Sequence, residues 1–164
     1  MTESLSHARP SWDEYFMGMA RAAAQRATCD RGRSGCVVAR DKHLLVTGYV
    51  GSPRGIAHCD DVGHQMKTVT HEDGAQTHHC LRTTHAEQNA IVQAAKLGVA
   101  IGGGTLYCKM TPCSACAKMI INAGIVRVVC EKKYHAGTES EDLFRQAGIE
   151  LHYFNESVEQ YARQ

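Results

Sequence analysis

The sequence is short of several features at once, and each shortage excludes something. No run of about 18 apolar residues occurs in its 164 positions, so no transmembrane helix is expected. Neither charge sign dominates. With 18 basic against 17 acidic residues, the formal net charge is +1. That balance offers no basic stripe for nucleic acid and no polybasic patch for a membrane. The segment Met1 to Pro10 is polar and lacks the apolar stretch of a secretory signal, so a cytoplasmic location is expected. There is no internal repeat, no low-complexity tract and no clear linker. Aromatic residues make up 6% of the chain and prolines number 3. The remaining composition, 43% hydrophobic and 21% charged, can bury a core and does not resemble a disordered chain. The length suits a single domain over 1–164, with its core in 11–153.

Cysteine and histidine are abundant, at 8 and 10 residues. Without a secretory signal the cysteines are expected to be reduced, so a disulfide framework is not expected. Cys36, Cys108 and Cys130 sit inside apolar runs and read as small core residues. Cys29, Cys59, Cys80, Cys113 and Cys116 lie beside polar residues, turns or histidines, and call for a metal argument.

Periodicity predicts a helix over 11–27, capped by Ser11, with Tyr15, Met19 and Ala22 on one face. Two strands follow, Gly35 to Arg40 and Lys42 to Tyr49, with a turn near Arg40-Asp41. Residues 50–82 hold glycine, proline, two cysteines and five histidines with little periodicity, and read as a long loop held by something. A helix is expected from His85 to Gly98, a strand over Gly104 to Lys109, and a helix over Cys113 to Ala123 closed by Gly124. A strand over Ile125 to Cys130, a helix over Glu139 to Gln146, a strand over Ile149 to Tyr153 and a terminal helix over Asn155 to Arg163 complete the pattern. Strands alternating with helices indicate a layered α/β domain.

Cys113-Ser114-Ala115-Cys116 has C-x-x-C spacing at the start of a predicted helix, which brings two sulfurs to one ion. A helix N-terminus lowers thiol pKa, so both sulfurs are expected to be anionic near neutral pH. His85 offers a third ligand from the start of another helix. Two sulfurs and one imidazole leave the fourth tetrahedral position open, the mark of a catalytic zinc. Glu87 lies two residues after His85, in reach of that position without being a ligand. The pattern His85-Ala86-Glu87, then 24 residues, then Pro112-Cys113-Ser114-Ala115-Cys116, is the signature of the zinc deaminases. A redox pair or half of a structural zinc site explains the C-x-x-C alone, but not the joint pattern.

More of the chain then points to one family. Cys29-Asp30-Arg31, Thr47 to Gly55, His58 to His64, Cys80 to Ala90 and Pro112 to Gly124 together resemble the deoxycytidylate (dCMP) deaminases of the cytidine/deoxycytidylate deaminase superfamily, over about residues 11–153. The resemblance implies an α/β, three-layer cytidine-deaminase-like fold with a mixed five-stranded sheet flanked by helices. It implies zinc-dependent hydrolysis of dCMP to dUMP and ammonia, feeding thymidylate synthesis. The expected chemistry is attack of a zinc-held hydroxide on C4, with Glu87 protonating N3 and then the leaving amine. It also implies a homo-oligomer, often a hexamer, with dCTP and dTTP as effectors.

The resemblance further implies that Tyr134 stacks on the pyrimidine, although a tyrosine at a strand end also serves plain packing. Lys96 is a candidate effector or interface contact on the same basis, with an exposed helix lysine as the alternative. Arg54, in a glycine-rich turn, is a candidate phosphate ligand by charge and fork geometry, or a solvated loop arginine. The family pattern Gly-Tyr-Asn-Gly reads Gly48-Tyr49-Val50-Gly51 here. Valine forms no side-chain hydrogen bond, so the change bears on effector regulation and on the nucleotide accepted. Cys29, Cys59 and Cys80 match stretches that hold a structural zinc in some relatives. His64 is the first choice for a fourth ligand, with His79 and His71 as substitutes. Other readings are the same chemistry on another cytosine nucleotide or nucleoside, and a non-catalytic nucleotide-sensing zinc module.

Overall fold

The structure is a computed structural model that describes residues 7–70 and 72–159. The first helix, α1, spans Trp12–Ala24. Ser11 opens it as a capping box: its backbone N–H donates to the Glu14 carboxylate at 2.7 Å, and its hydroxyl accepts from the Glu14 N–H at 3.2 Å. The buried face is Phe16, Met17 and Ala20, not the expected Tyr15, Met19 and Ala22. Tyr15 is 45% exposed and packs on Trp12 and Phe16 instead. The face is set by a close approach. A Cβ on Gly35 would lie 2.2 Å from the Ala20 carbonyl oxygen, so the helix rests on the sheet along its Phe16–Ala20 row.

Strands β1 (Gly35–Arg40) and β2 (His43–Tyr49) form a hairpin. Asp41 and Lys42 both take positive φ, 52° and 65°, so the second strand starts after Lys42.

The segment expected as a long loop contains α2 (Cys59–Val62) and a separate hairpin, β3 (Met66–Thr70) with β4 (Gln76–Cys80). Both strands are largely solvated, so they carry no apolar alternation for a sequence reading to detect. The neck of this excursion is closed by Gly51 and Thr84, which exchange two backbone hydrogen bonds of 2.9 and 3.2 Å.

The chain continues through α3 (Ala86–Leu97), β5 (Thr105–Met110), α4 (Ser114–Asn122), β6 (Arg127–Tyr134), α5 (Thr138–Gln146) and β7 (Glu150–Tyr153). Helix α3 ends on Gly98 in the left-handed conformation, at φ 67°. The sheet order is β2-β1-β5-β6-β7; β1 is antiparallel to β2 and β5, while β5, β6 and β7 run parallel. It is therefore mixed, as expected. A sixth, two-residue strand, β8 (Val158–Glu159), pairs in parallel with the end of β6. The expected terminal helix does not start at Asn155. The Asn155 side chain accepts the Ser157 N–H at 3.0 Å, and Glu159 is held by Lys109 and Lys132 at 3.2 and 3.1 Å. The rest of that expected helix lies outside the described residues.

Alternating side chains build two cores. Val37, Ala39, Tyr107 and Val129 face α1. Cys36, Val38, Leu106, Cys108, Val128 and Cys130 face α3, α4 and α5. The three expected core cysteines are fully buried there. Among the described residues, no helix is long and apolar enough to cross a membrane.

Candidate active site and its metal clusters

The parallel strands β5 and β6 end at Met110 and Tyr134, and both residues line one cavity. A cavity at the carboxyl ends of parallel strands is where open α/β sheets take their ligands. Two helix starts converge there. His85 is the N-cap of α3, and its backbone N–H donates to Gln88 Oε1 at 3.0 Å. Cys113 is the N-cap of α4, with Cys116 in the first turn. The Asn89 amide donates to the Tyr49 carbonyl at 2.7 Å and ties the first turn of α3 to β2.

His85 Nδ1 lies 3.5 Å from Cys113 Sγ and 3.4 Å from Cys116 Sγ. The three ligand atoms all lie within 4.8 Å of one another, close enough to share an ion. Glu87, 6% exposed, accepts from the Cys116 thiol at 3.7 Å. Burial pushes its carboxyl above the ordinary range. The two sulfurs do not ionise alike. The contact with Cys116, aided by His85, brings Cys113 down to about 4. The neighbouring Cys113 sulfur, burial and Glu87 push Cys116 up. The Cys113 contact in turn raises His85 to about 9. Two adjacent sulfurs beside a buried carboxyl repel a second negative charge. A divalent cation offsets that repulsion, and one nitrogen with two sulfurs is a donor set suited to zinc.

A second group also forms. Cys29 Sγ lies 3.6 Å from His64 Nδ1, Cys59 Sγ lies 3.6 Å from Cys80 Sγ, and the four ligand atoms fall within 4.8 Å of one another. His64 Nε2 meets Asp30 Oδ1 at 2.9 Å, the carboxylate–histidine arrangement that orients a metal-binding imidazole. Burial and the adjoining sulfurs push Cys59 up to about 12. For Cys80, burial is outweighed by backbone N–H groups of Arg82 and Gln65, which bring it to about 7. Of the three histidines considered, His64 stands with the sulfurs. His79 is exposed on β4, with Nε2 at 2.8 Å from Thr77 Oγ1. His71 lies outside the described residues.

The cavity spans both groups. Glu87, His85 and Cys113 line it, as do Cys29 and Cys80, with Val50 and Tyr134 also in its wall. Tyr134 is fixed by its backbone N–H, which donates to Thr111 Oγ1 at 3.1 Å. Arg54 is exposed and Lys96 is exposed in the last turn of α3; neither lines the cavity. Sequence reasoning missed Arg31, His78 and Thr111, which do. Arg31 belongs to the Cys29-Asp30-Arg31 stretch, but nothing local showed where its side chain would lie.

Residues 10–132 match the model of the cytidine and deoxycytidylate deaminase zinc-binding region. The chain belongs to that family. It is 41% identical to ComE operon protein 2 of Bacillus subtilis over 141 residues, which is 86% of this chain and 70% of that protein. It is 39% identical to the deoxycytidylate deaminase of Mycobacterium phage D29 over 130 residues, covering 76% of this chain and 98% of the phage protein. It is 38% identical to the deoxycytidylate deaminase of Saccharomyces cerevisiae, but spans only 46% of that longer protein. Among solved structures, the dCMP deaminase of cyanophage S-TIM5 in complex with dCMP and dUMP superposes with a TM-score of 0.71, at 31% identity over 90% of this chain and all of that one. The family assignment makes zinc the metal that fits the His85, Cys113 and Cys116 donor set.

Proposed function

We propose that this chain removes the C4 amino group of dCMP by hydrolysis, giving dUMP and ammonia. One observation carries the reading. A nearly fully buried carboxyl, Glu87, lines a cavity beside a one-nitrogen, two-sulfur ligand set. A purely structural metal site has no use for a carboxyl there. The dCMP and dUMP bound to the cyanophage enzyme, whose fold this chain shares, support the choice of substrate.

In this reading His85, Cys113 and Cys116 hold the catalytic zinc, and Cys29, Cys59, His64 and Cys80 hold a second, structural one. Zinc at the first site supplies Lewis acidity and lowers the pKa of water toward neutrality. Glu87 takes one proton from the attacking water and delivers it to ring N3, then takes the second proton from the new C4 hydroxyl and gives it to the amine as the C4–N bond breaks. Its burial, which favours the neutral carboxyl, suits a group that must both accept and return a proton. Tyr134 lies against the pyrimidine. Lys96, exposed on α3, fits an effector or subunit contact, in keeping with a homo-oligomer that responds to dCTP and dTTP.

Val50 favours a second reading, the same chemistry on another cytosine nucleotide or nucleoside. It occupies the cavity wall where the family pattern has asparagine. Zinc-loaded protein is incubated with dCMP, dCTP and deoxycytidine, and ammonia is measured. Release from dCMP supports the first reading, and release from one of the others alone supports the second. No release from any, with zinc bound, points to a non-catalytic module.

A further inference from the structure

Among the described residues, Glu87 and Thr111 are the buried charged or hydroxyl side chains in the cavity wall, and the chemistry above gives Thr111 no role. Thr111 is 1% exposed and lies between the end of β5 and the Cys113 cap of α4. Its hydroxyl is the middle of a chain of hydrogen bonds that runs in one direction. Tyr153, the last residue of β7, donates its hydroxyl at 2.7 Å to Glu141 Oε1 in the first turn of α5. A phenol has one proton to give, so its oxygen, 3.0 Å from Thr111 Oγ1, accepts from the Thr111 hydroxyl. The Thr111 oxygen in turn accepts the Tyr134 backbone N–H at 3.1 Å. Burial, with Glu141 beside it, pushes the Tyr153 phenol up, so the phenol keeps the proton that this order requires.

Threonine has three staggered rotamers, and the acceptor at Tyr153 selects the one that turns Oγ1 to the Tyr134 N–H. The methyl side is as tightly held. A Cβ on Gly137 would lie 3.0 Å from Thr111 Cγ2, and the Gly137 N–H donates to the Tyr134 carbonyl at 3.0 Å. Both backbone groups of Tyr134 are thereby fixed around one side chain. Lys133, the residue before it, places Nζ 5.3 Å from the centre of the Tyr153 ring, a second tie between β6 and Tyr153. Tyr153 itself does not line the cavity, whereas Thr111 and Tyr134 do.

We propose that Tyr153 is a positioning residue: through Thr111 it sets the end of β6 so that the Tyr134 ring meets the pyrimidine. The proposal rests on the nucleotide reading above, in which Tyr134 lies against the base. Glu141 anchors the far end of the chain and fixes its polarity.

The test uses the zinc-loaded full chain with dUMP as the probe, titrated calorimetrically into wild type, Tyr153→Phe, Tyr134→Leu and the double variant. Tyr153→Phe keeps the ring and removes only the hydroxyl. It should weaken dUMP binding by about two- to tenfold, the net worth of one hydrogen bond. In the Tyr134→Leu background the same change should cost less than about twofold, because the ring it positions is gone. An equal loss in both backgrounds makes Tyr153 a general packing residue and overturns the proposal. A lower melting temperature with unchanged dUMP affinity overturns it too. If Tyr153→Phe does not fold, Thr111→Val carries the test: it keeps the shape, loses the hydroxyl, and should weaken dUMP at least as much alone but less than about twofold beside Tyr134→Leu. Equal loss again overturns the proposal. A wild type that binds no dUMP sinks the nucleotide reading and this proposal together. If dUMP binds but dCMP releases no ammonia, the deaminase reading alone fails, and the same four titrations still decide the role of Tyr153.

Discussion

Gly48 of β2 lies so close to Ala86 of α3 that a Cβ on the glycine would fall 2.3 Å from the Ala86 carbonyl oxygen. The next turn is as tight, with Ala90 N at 2.5 Å. The alanines on the buried side of α3 and this glycine let helix and strand approach, and the approach fixes where the first turn of α3 presents His85 and Glu87. Gly48→Ala should cost about 1–3 kcal/mol by overpacking and should also weaken zinc retention. Thermal unfolding and metal content of the purified variant check both. An unchanged melting temperature would mean that the helix can shift freely.

Glu87→Gln should keep the fold and the zinc, because Glu87 is not among the grouped ligand atoms. Turnover should fall by about 10²–10⁴, the usual worth of a positioned acid–base group. Steady-state rates beside a zinc assay decide this, and near-normal turnover would remove Glu87 from the mechanism.

If both ligand groups bind zinc, metal analysis of wild type should return two ions per chain, and Cys80→Ser should return one. The variant should also melt at lower temperature, since Cys29, Cys59, His64 and Cys80 join the exit of α1, the start of α2 and the end of the β3–β4 hairpin. A single zinc per wild-type chain after careful purification would refute the second site.

Arg127 grips Asp13 with two N–H groups at 2.7 and 2.8 Å, and the Tyr107 hydroxyl donates to the same carboxylate at 2.8 Å. Arg127 is the main cause holding the Asp13 carboxyl below its ordinary value. A carboxyl depressed in the folded state contributes stability that is fully present above its unfolded pKa of about 4, and loses it as pH falls through the folded value. Asp13→Asn should therefore be less stable than wild type near neutral pH, and the gap should narrow as pH drops below about 4. Denaturant unfolding at several pH values measures it. A gap independent of pH would mean that the lost contacts are not ionic.

The residues by themselves determined the parts of this protein whose physics is local. C-x-x-C places two sulfurs within one helical turn, and a histidine with a glutamate two residues on needs only a helix start to aim both. Those short-range relations made the His85, Cys113 and Cys116 cluster legible, along with the helix cap at Ser11 and the helix ends at Gly98 and Gly124. The tertiary structure alone decided what depends on distant segments meeting. The choice of His64 over His79 follows from how the hairpin folds back on Cys29. The β3–β4 hairpin left no apolar alternation to read because its faces are solvated. Strand β8 exists through pairing with a partner some 25 residues earlier. The buried face of α1 turned on a close approach at Gly35, and the place of Arg31 in the cavity turned on a carbonyl 47 positions away. Local spacing is written in the order of residues, whereas long-range contact depends on which surfaces the finished packing brings together.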